Sequence, residues 1–264
     1  MAVRPEQEQS VMDIWIEGRQ WERFPWWFVG ILGAILFMIF KIVSDPQYTR
    51  AYNAILPGLR LTLYITVVAF LAAVAIGLIA GLGRISQNFV LRNLATLYIE
   101  FVRGVPTLVL ISTVAFVIVP GVANLLGIQT PRDQTPRAIA ALAVIYGAFL
   151  AEVFRAGIES IPPGQMEAAR SLGMTHFQAM IYIILPQAIR NMLPALGNDL
   201  IAMLKDSSLV SVLAVREITQ EARLYSGSTF RFSETYLILT LLYLIMTIIL
   251  SLLLQWYQRR LRNE

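Results

Sequence analysis

The chain has 264 residues, of which 57% are hydrophobic and only 14% are charged. Soluble domains carry about a quarter of their residues as charged side chains, so this composition excludes an ordinary soluble protein and predicts a polytopic membrane protein. The absence of cysteine excludes disulfides and thiolate metal sites, and the single histidine, His176, excludes zinc motifs built on two histidines. The net charge of +4 is typical of basic loops beside anionic lipid and gives no indication of nucleic-acid binding.

Residues 1–25 are predicted to form a charged cytoplasmic or interfacial leader. Acidic residues and arginines are mixed throughout it, and a signal peptide with its apolar stretch and small-residue cleavage site is not evident. Tryptophans concentrate where membrane meets water, and those up to Trp27 stand at the entrance to an apolar run. We therefore predict an extra N-terminal membrane helix and a loop over residues 26–54, with Asp45 and Pro46 closing the helix.

Five further apolar segments define residues 55–258 as one transmembrane domain. A helix of about 20 apolar residues spans the hydrocarbon of a bilayer. Small residues recur in the first of these segments, which allows neighbouring helices to approach closely. The predicted spans are 55–82, 94–119, 138–153, 186–204 and 236–256. They are joined by a polar hairpin at 84–92, a loop at 120–136, a polar loop at 162–186 and a polar connection at 205–234 that is partly helical around 216–224.

These segments predict an all-α polytopic membrane protein with about six transmembrane helices. An even number of spans places both termini on the same side, and arginine is more frequent on that side, which is predicted to be cytoplasmic. Residues 259–264 form a basic cytoplasmic tail. In the fifth span, Pro194 and Gly197 favour an unwound backbone that would offer carbonyl groups to a ligand.

The polar loop at 162–186 is predicted to contain two short helices. Prolines and a glycine at its start break the preceding helix. The first short helix runs over residues 165–172, and Gly173 ends it because glycine reaches positive φ without steric cost. The second begins after Thr175, which is suited to cap it. On physical pattern alone, this arrangement is as typical of a solvated loop as of a binding surface.

Two pairs of opposite charge fall within the apolar segments, where ionisable groups cost about 2.5–3.5 kcal/mol each on insertion scales. Glu100 and Arg103 are three residues apart, so they can share a helix face and pair, and Pro106 follows at a predicted kink. Glu152 and Arg155 repeat this spacing. We assign these residues to structure or gating rather than to ligand binding.

Two carboxylates in and beyond the fifth span are candidates for binding. Asp199 and Asp206 are seven residues apart, which places them on one helix face, about 10 Å apart along the axis. Lys205 can neutralise Asp206, whereas Asp199 lacks an obvious local partner, because Arg190 lies more than two helical turns before it. A carboxylate without a counter-ion suits a ligand cation. We therefore predict that Asp199, its neighbour Asn198 and Asp206 bind substrate, with Asp199 the strongest candidate.

Three motifs resemble those of permease subunits of polar amino acid ABC importers with the type I fold. The resemblance extends from about Leu56 to Arg260, so the leader and the first span lie outside it. Ser207 departs from the family pattern, which has threonine there. The motifs are Glu167-Ala168-Ala169 with Gly173 and Leu185-Pro186, which match the EAA loop; Tyr98 to Pro106, which match YxExxRGxP; and the ILPQAIR and LKDSSL sequences at 184–190 and 204–209, which are similar to ILPQAxR and LKDTSL.

The resemblance implies a MetI-like core of five helices, and the extra N-terminal helix is added to this core. In this family the EAA loop is a cytoplasmic coupling helix seated in a cleft of the ATPase subunit. The resemblance also implies three partners at the inner membrane of a prokaryote. They are a dimer of ATP-binding subunits that holds ATP and Mg, a second permease copy or paralogue, and a periplasmic or lipid-anchored amino-acid-binding protein. Some members hold substrate inside the membrane subunit, with acidic contacts from the helix of Asp199. The residues that the resemblance assigns to coupling are Glu167, Ala168, Ala169, Arg170 and Gly173.

Other functions stay open on the sequence. The chain has no GxxxxGK[ST] motif, so it is expected to be neither an enzyme nor a cofactor-binding subunit by itself. A proton-coupled secondary carrier with Asp199 as its titrating group would leave the EAA-like loop unexplained and shows no evident inverted repeat. A scaffold permease whose paralogous partner holds the substrate site is compatible with every motif. An acid at Asp199 slightly favours cationic or broadly polar amino acids.

Overall fold

The computed structural model describes residues 26–129 and 133–262, and all regular secondary structure in these ranges is helical. The predicted leader at 1–25 lies outside the described residues. The described residues divide into two compact units, the first ending at Thr49 and the second beginning at Arg50. The helices are α1 Trp26–Ser44, α2 Pro46–Ile55, α3 Gly58–Arg84, α4 Phe89–Gly104, α5 Thr107–Thr113, a π turn Val114–Ile118, α6 Val119–Leu125, α7 Thr135–Glu159, α8 Pro163–Ser171, α9 His176–Ala179, a π turn Met180–Ile184, α10 Leu185–Asp206, a 3₁₀ helix Ser207–Leu213, α11 Ile218–Thr229 and α12 Phe232–Arg262.

Six helical segments of the described chain are long and apolar enough to cross a membrane, so the predicted number of spans is confirmed. The predicted polar connection after the fifth span also contains a helix, α11, which is longer than the expected helical stretch. The six segments are Trp26–Ser44, Pro46–Arg84, Thr107–Leu125, Thr135–Glu159, His176–Leu213 and Phe232–Arg260.

In the first unit, α1 is an apolar helix of 19 residues, none of which is buried. It is followed by a turn in which the Asp45 carboxylate accepts a hydrogen bond from the backbone N–H of Gln47 at 2.9 Å. The loop predicted after this turn is wrong, because α2 begins directly at Pro46. Proline is favoured at the first position of a helix, where its missing N–H has no intrahelical partner to lose.

The third span is displaced toward the C-terminus relative to the prediction of 94–119. Val105 is extended, with φ −114° and ψ 138°, because a residue that precedes proline is disfavoured in the helical conformation. Pro106 therefore separates α4 from the apolar segment that follows. Asn88 caps α4 by accepting two backbone hydrogen bonds, which shortens the predicted hairpin. The spanning segment is Thr107–Leu125, so helix also replaces the start of the predicted loop.

The fifth span is one continuous helical segment, His176–Leu213, and the predicted unwinding near Pro194 is wrong. A π turn precedes Pro186 and shifts the hydrogen-bond register where the proline N–H is missing. At Gly197, an added Cβ would lie 3.2 Å from a methyl carbon of Leu254 on α12. Close packing between α10 and α12 thus favours helix at a point where the local sequence does not.

Helices α3 and α7 form the most extensive helix contact of the second unit. An added Cβ at Gly77 would lie 2.7 Å from Cβ of Leu150, and one at Gly81 would lie 2.8 Å from the carbonyl oxygen of Ala151. The two backbones therefore approach so closely that only glycine fits. In a membrane such contacts are stabilised by dispersion between well-packed atoms. The α7 segment is also the most buried of the six spans.

Candidate functional sites

The polar loop folds as two short helices joined at Gly173. This glycine has φ +84°, a left-handed conformation that ends α8 and that glycine adopts readily. Thr175 then caps α9 through a reciprocal pair of hydrogen bonds with Gln178, at 2.9 and 3.2 Å. The predicted helix end at Gly173 and the predicted cap at Thr175 are both confirmed.

The surface of the polar loop combines charged and apolar side chains. Leu172 is 82% exposed and Phe177 is 72% exposed, one on each side of the turn at Gly173. Sequence analysis missed both, because an apolar residue beside a helix end is usually buried against the protein rather than exposed. Exposed apolar area rimmed by charge is typical of a binding surface. Among the predicted coupling residues and their neighbours, Glu167, Ala168, Arg170 and His176 are exposed and Ala169 is buried.

A chain of ion pairs joins the ends of α3, α4 and α7. The Arg84 guanidinium donates to the carboxylate of Glu100 at 2.9 Å and also to the carboxylate of Glu152. Arg155 donates to the second oxygen of Glu152 at 2.9 Å and pairs with Glu159 one turn further on. The predicted pair of Glu152 and Arg155 is confirmed, and Glu152 lies between two arginines. This network fixes three helix ends relative to one another.

The predicted pair of Glu100 with Arg103 is wrong. Because α4 runs beside the end of α3, Glu100 meets Arg84, which is distant in sequence and was not evident from helical spacing. Arg103 lies exposed in the last turn of α4 and forms no ion pair within the described part of the chain. Pro106 starts α5 after the extended Val105, so these two residues mark the break between the two helices.

Asp206 is held by a tyrosine rather than by lysine. The Tyr146 hydroxyl donates to Oδ2 of Asp206 at 2.9 Å, and Tyr146 is buried in the α3–α7 packing. Lys205 makes no ion pair with Asp206, so the predicted local neutralisation is wrong. On a helix, adjacent residues point about 100° apart, which directs Lys205 away from α7. Asp206 thus connects α10 to α7.

Asp199 is the less constrained of the two carboxylates. It is partly buried and makes no hydrogen bond or ion pair with any residue that the structure describes. Its seven-residue spacing from Asp206 places the two carboxylates on the same side of α10. Asn198 is exposed. The arrangement leaves Asp199 available to a cation, while the Asp206 carboxylate is already occupied.

Glu217 is a buried carboxylate that sequence analysis missed. It is fully buried and caps α11 by accepting the backbone N–H groups of Thr219 at 2.9 Å and Gln220 at 2.7 Å. The Tyr243 hydroxyl of α12 donates to the same carboxylate at 3.2 Å. Burial raises the pKa of Glu217 to about 7, and these hydrogen bonds oppose that shift. The signal in the sequence was only an acid before a short helix.

A multi-pass helical bundle with an exposed polar loop and an unpaired intramembrane acid is the arrangement of a membrane transport subunit. The chain belongs to the family of binding-protein-dependent transport system inner membrane components, whose profile matches residues 73–263. The predicted class, a type I importer permease with an all-α fold, is confirmed.

Several relatives and solved structures are similar over most of their length. The probable amino-acid permease protein YxeN of Bacillus subtilis is 40% identical over 209 residues, which cover 79% of this chain and 92% of that protein. The glutamine transport system permease protein GlnP of Escherichia coli K12 is 34% identical over 212 residues, covering 80% and 94%. A crystal structure of an amino acid ABC transporter with histidines is 39% identical, with a TM-score of 0.71, covering 83% of this chain and 98% of that one.

Proposed function

We propose that the chain is the permease subunit of an ATP-driven amino acid importer in the inner membrane of a prokaryote. The observation that carries the proposal is the surface of the polar loop, where the side chains of Glu167, Leu172 and Phe177 are exposed. The Glu167 carboxylate has no hydrogen bond or ion pair within the described residues. The names of the relatives, which include amino acid and glutamine permeases, support the substrate class. Both termini and the polar loop then lie on the cytoplasmic side.

In this proposal the polar loop couples the chain to a dimer of ATP-binding subunits that hold ATP and Mg. Leu172 and Phe177 are the apolar anchors, and Glu167 and Arg170 supply the surrounding charge, an arrangement typical of interface hot spots. Since α9 continues through a π turn into α10, a displacement of the loop moves α10 with it. Closure of the ATPase dimer thereby reaches the membrane-spanning helix that carries Asp199.

The translocation path is completed by a second permease copy or a paralogue, and a periplasmic or lipid-anchored binding protein delivers the amino acid. Asp199 contacts the cationic group of the substrate, with Asn198 beside it as a hydrogen-bonding neighbour. Asp206 serves mainly to hold α10 against Tyr146 at 2.9 Å. The Arg84 network, with Glu100, Glu152 and Arg155, fixes the helix ends between which the path opens and closes, and Arg103 and Pro106 mark the break in the third span.

The test is ATP-driven uptake of labelled arginine, histidine, glutamine and glutamate into proteoliposomes that contain the whole complex and its binding protein. Wild type is compared with Asp199→Asn, which removes the charge but keeps the shape. We expect arginine uptake to fall by about tenfold, since a hydrogen bond to a charged group contributes about 1.5–3 kcal/mol. Uptake of glutamate should change little. Asp45→Asn, in the turn between α1 and α2, is the matched control.

The other outcomes separate the alternatives. Equal uptake by wild type and Asp199→Asn would mean that specificity lies in the binding protein or in a paralogous permease, and that Asp199 is structural. If a protonophore abolishes uptake while ATP is held constant, the chain is a proton-coupled carrier instead. If the wild-type complex hydrolyses ATP but imports none of the four amino acids, the assigned substrate class is wrong.

A further inference from the structure

Two side chains of opposite charge, Arg103 on α4 and Asp199 on α10, form no hydrogen bond or ion pair within the described residues. Helix α7 packs against α4 and also against α10, whereas α4 and α10 make no extensive contact with each other. The two charges of one chain therefore stay apart, and each is open to a group from outside the chain.

Asp199 lies at the depth of Glu152 on α7. Two hydrogen bonds join α7 to α10, and their order along the two helices shows that the helices run antiparallel. Asp199 is seven residues before one contact and eight after the other, and the same steps along α7 lead to positions 152–153. The two contacts are those of Tyr146 with Asp206 and of Asn191 with Ser160, each at 2.9 Å.

Arg103 lies within about one helical turn of the same depth. The guanidinium of Arg84 donates to both Glu100 and Glu152, so these carboxylates of α4 and α7 stand side by side. Arg103 follows Glu100 by three residues, or about 4.5 Å along the axis of α4. Side chains lean toward the N-terminus of their helix, which directs the Arg103 guanidinium back toward the depth of Glu100. The charges of Arg103 and Asp199 are thus at matching depths.

Arg103 belongs to a polar stripe of α4 that is turned away from the exposed apolar side chains of this helix. At about 100° per residue, Leu94 and Phe101 lie about 160–180° from Arg103 around the helix axis. Both are more than half exposed, as expected for side chains that face lipid. Charged residues in a membrane instead face the bundle interior or a water-filled cavity, or they pair with one another. The polar stripe consists of Arg92, Thr96, Glu100 and Arg103.

We propose that Arg103 forms an ion pair with Asp199 of a second copy of this chain, across the translocation path. The inference rests on the proposed function, because it requires two permease copies in one complex. Both copies have the same orientation in the membrane, so the twofold axis that relates them runs along the membrane normal. Such an axis keeps every residue at its depth, and it forms the pair of Arg103 with Asp199 twice.

The ion pair gives Asp199 a counter-ion while the path is empty. An arginine and a carboxylate form two parallel charge-assisted hydrogen bonds, which fix the geometry of the contact as well as its strength. The cationic group of a substrate then replaces the guanidinium of the partner subunit's Arg103. Since α10 continues from the polar loop, a displacement of that loop also moves one member of each pair. The environment of Asp199 is therefore complete only in the dimer.

The test uses cysteine cross-linking, because the chain has no cysteine of its own. In the whole complex with its ATPase, in nanodiscs, one copy carries Arg103→Cys and the other, with a different affinity tag, carries Asp199→Cys. A bifunctional thiol reagent with a short spacer replaces the length of the arginine stem. The matched control is Arg92→Cys in place of Arg103→Cys, in the same stripe but about 16 Å away along α4. We expect at least about tenfold more cross-linked dimer than in the control, because the effective concentration of the two thiols is higher.

A charge exchange separates an ion pair from mere proximity. Arg103→Asp alone and Asp199→Arg alone each place like charges at the contact, so each should lower the unfolding temperature of the complex. The variant with both substitutions restores opposite charges at the same two positions. It should recover most of the loss, because the two substitutions are coupled when the side chains touch.

Three results would overturn the proposal. Equal yields of dimer for Arg103→Cys and for the control would mean that the two side chains do not face each other. Cross-linking confined to doubly substituted single chains, without a dimer on the gel, would place the pair within one copy. Additive losses in the charge exchange would exclude an ion pair. If a wild-type complex still imports amino acids, each of these results leaves the proposed function intact, whereas a wild-type complex that imports none would fail the proposed function itself.

Discussion

The α3–α7 pair and the segment from the polar loop through α10 are built in opposite ways. At Gly77 and Gly81 the α3 backbone lies against α7 with no room for a methyl group. The α10 helix instead presents Asn198, Asp199 and Lys205 without partners in the described chain. Few buried contacts mean a low free-energy cost of local movement, whereas close-packed interiors have discrete arrangements. The permease thus separates a fixed pair of helices from a helix that can respond.

The two regions meet at polar junctions as well as through apolar packing, in which Ala188, Met192 and Met203 of α10 are buried. Near one end of α10, Tyr146 of α7 holds Asp206. Next to α11, the backbone N–H of Ile218 donates to the hydroxyl of Thr62 on α3 at 3.2 Å. Hydrogen bonds of this kind fix the positions of the helices that they join, but they can be exchanged for other hydrogen bonds when α10 moves. The contrast is therefore testable at three kinds of position: inside the fixed pair, on the responsive segment, and at a junction.

The largest effect is expected inside the fixed pair. A double variant, Gly77→Ala with Gly81→Ala, places two methyl groups at 2.7 and 2.8 Å from α7 atoms. Overpacking costs about 1–3 kcal/mol at each site, so we expect this variant to lose its folded, monodisperse form in size-exclusion chromatography. Gly121→Ala is the matched control, because nothing lies within 4 Å of an added Cβ there. A double variant as stable as the control would mean that α3 and α7 are not fixed by contact.

The next largest effect is expected on transport, with no change in the stability of the folded chain. Glu167→Arg reverses the charge of an exposed side chain in α8 and should leave the thermal unfolding temperature unchanged. Like charges at an interface cost several kcal/mol, so ATP-driven uptake should fall by about tenfold or more while the isolated subunit stays folded. Ser228→Arg adds a positive charge at an exposed position of α11 and serves as the control. Normal uptake by Glu167→Arg would remove the coupling role from the polar loop.

The same contrast explains which features were predictable from the sequence. Gly173 and Thr175 act through their own backbone and nearest neighbours, so the turn and the cap of the polar loop follow from local chemistry. The helical state at Pro194 depends instead on α12, because Gly197 packs against Leu254, and no local rule contains that contact. Propensity was overridden there by packing.

Side-chain partners were predictable only within one helix. Glu152 and Arg155 pair as their spacing indicates, whereas Glu100 pairs with Arg84 and Asp206 with Tyr146, partners on other helices. The third span was misplaced because the apolar pattern continues across Val105, although the proline after it breaks the helix. Leu172 and Phe177 were missed because exposure depends on the angle at which two short helices meet.

The smallest effect is expected at the junction of α11 and α12, and it depends on pH. The pKa of Glu217 rises from 4.5 to about 7 in the folded chain because the carboxyl is buried. Between these values the folded state binds more protons than the unfolded state, so the free energy of unfolding decreases as pH rises and levels off above pH 7. Glu217→Gln has no proton to lose and should flatten this part of the profile, by on the order of 1–3 kcal/mol.

The measurement is the thermal unfolding temperature between pH 4.5 and 8 for wild type and Glu217→Gln, compared as a difference so that other titrating groups cancel. Tyr243→Phe removes the hydroxyl that donates to Glu217 at 3.2 Å. Since that hydrogen bond stabilises the charged carboxylate, its loss should steepen the wild-type decrease rather than flatten it. Parallel profiles for wild type and Glu217→Gln would mean that the carboxyl titrates alike in both states. The junction would then act only as a helix cap for α11 and not as a buried charge between α11 and α12.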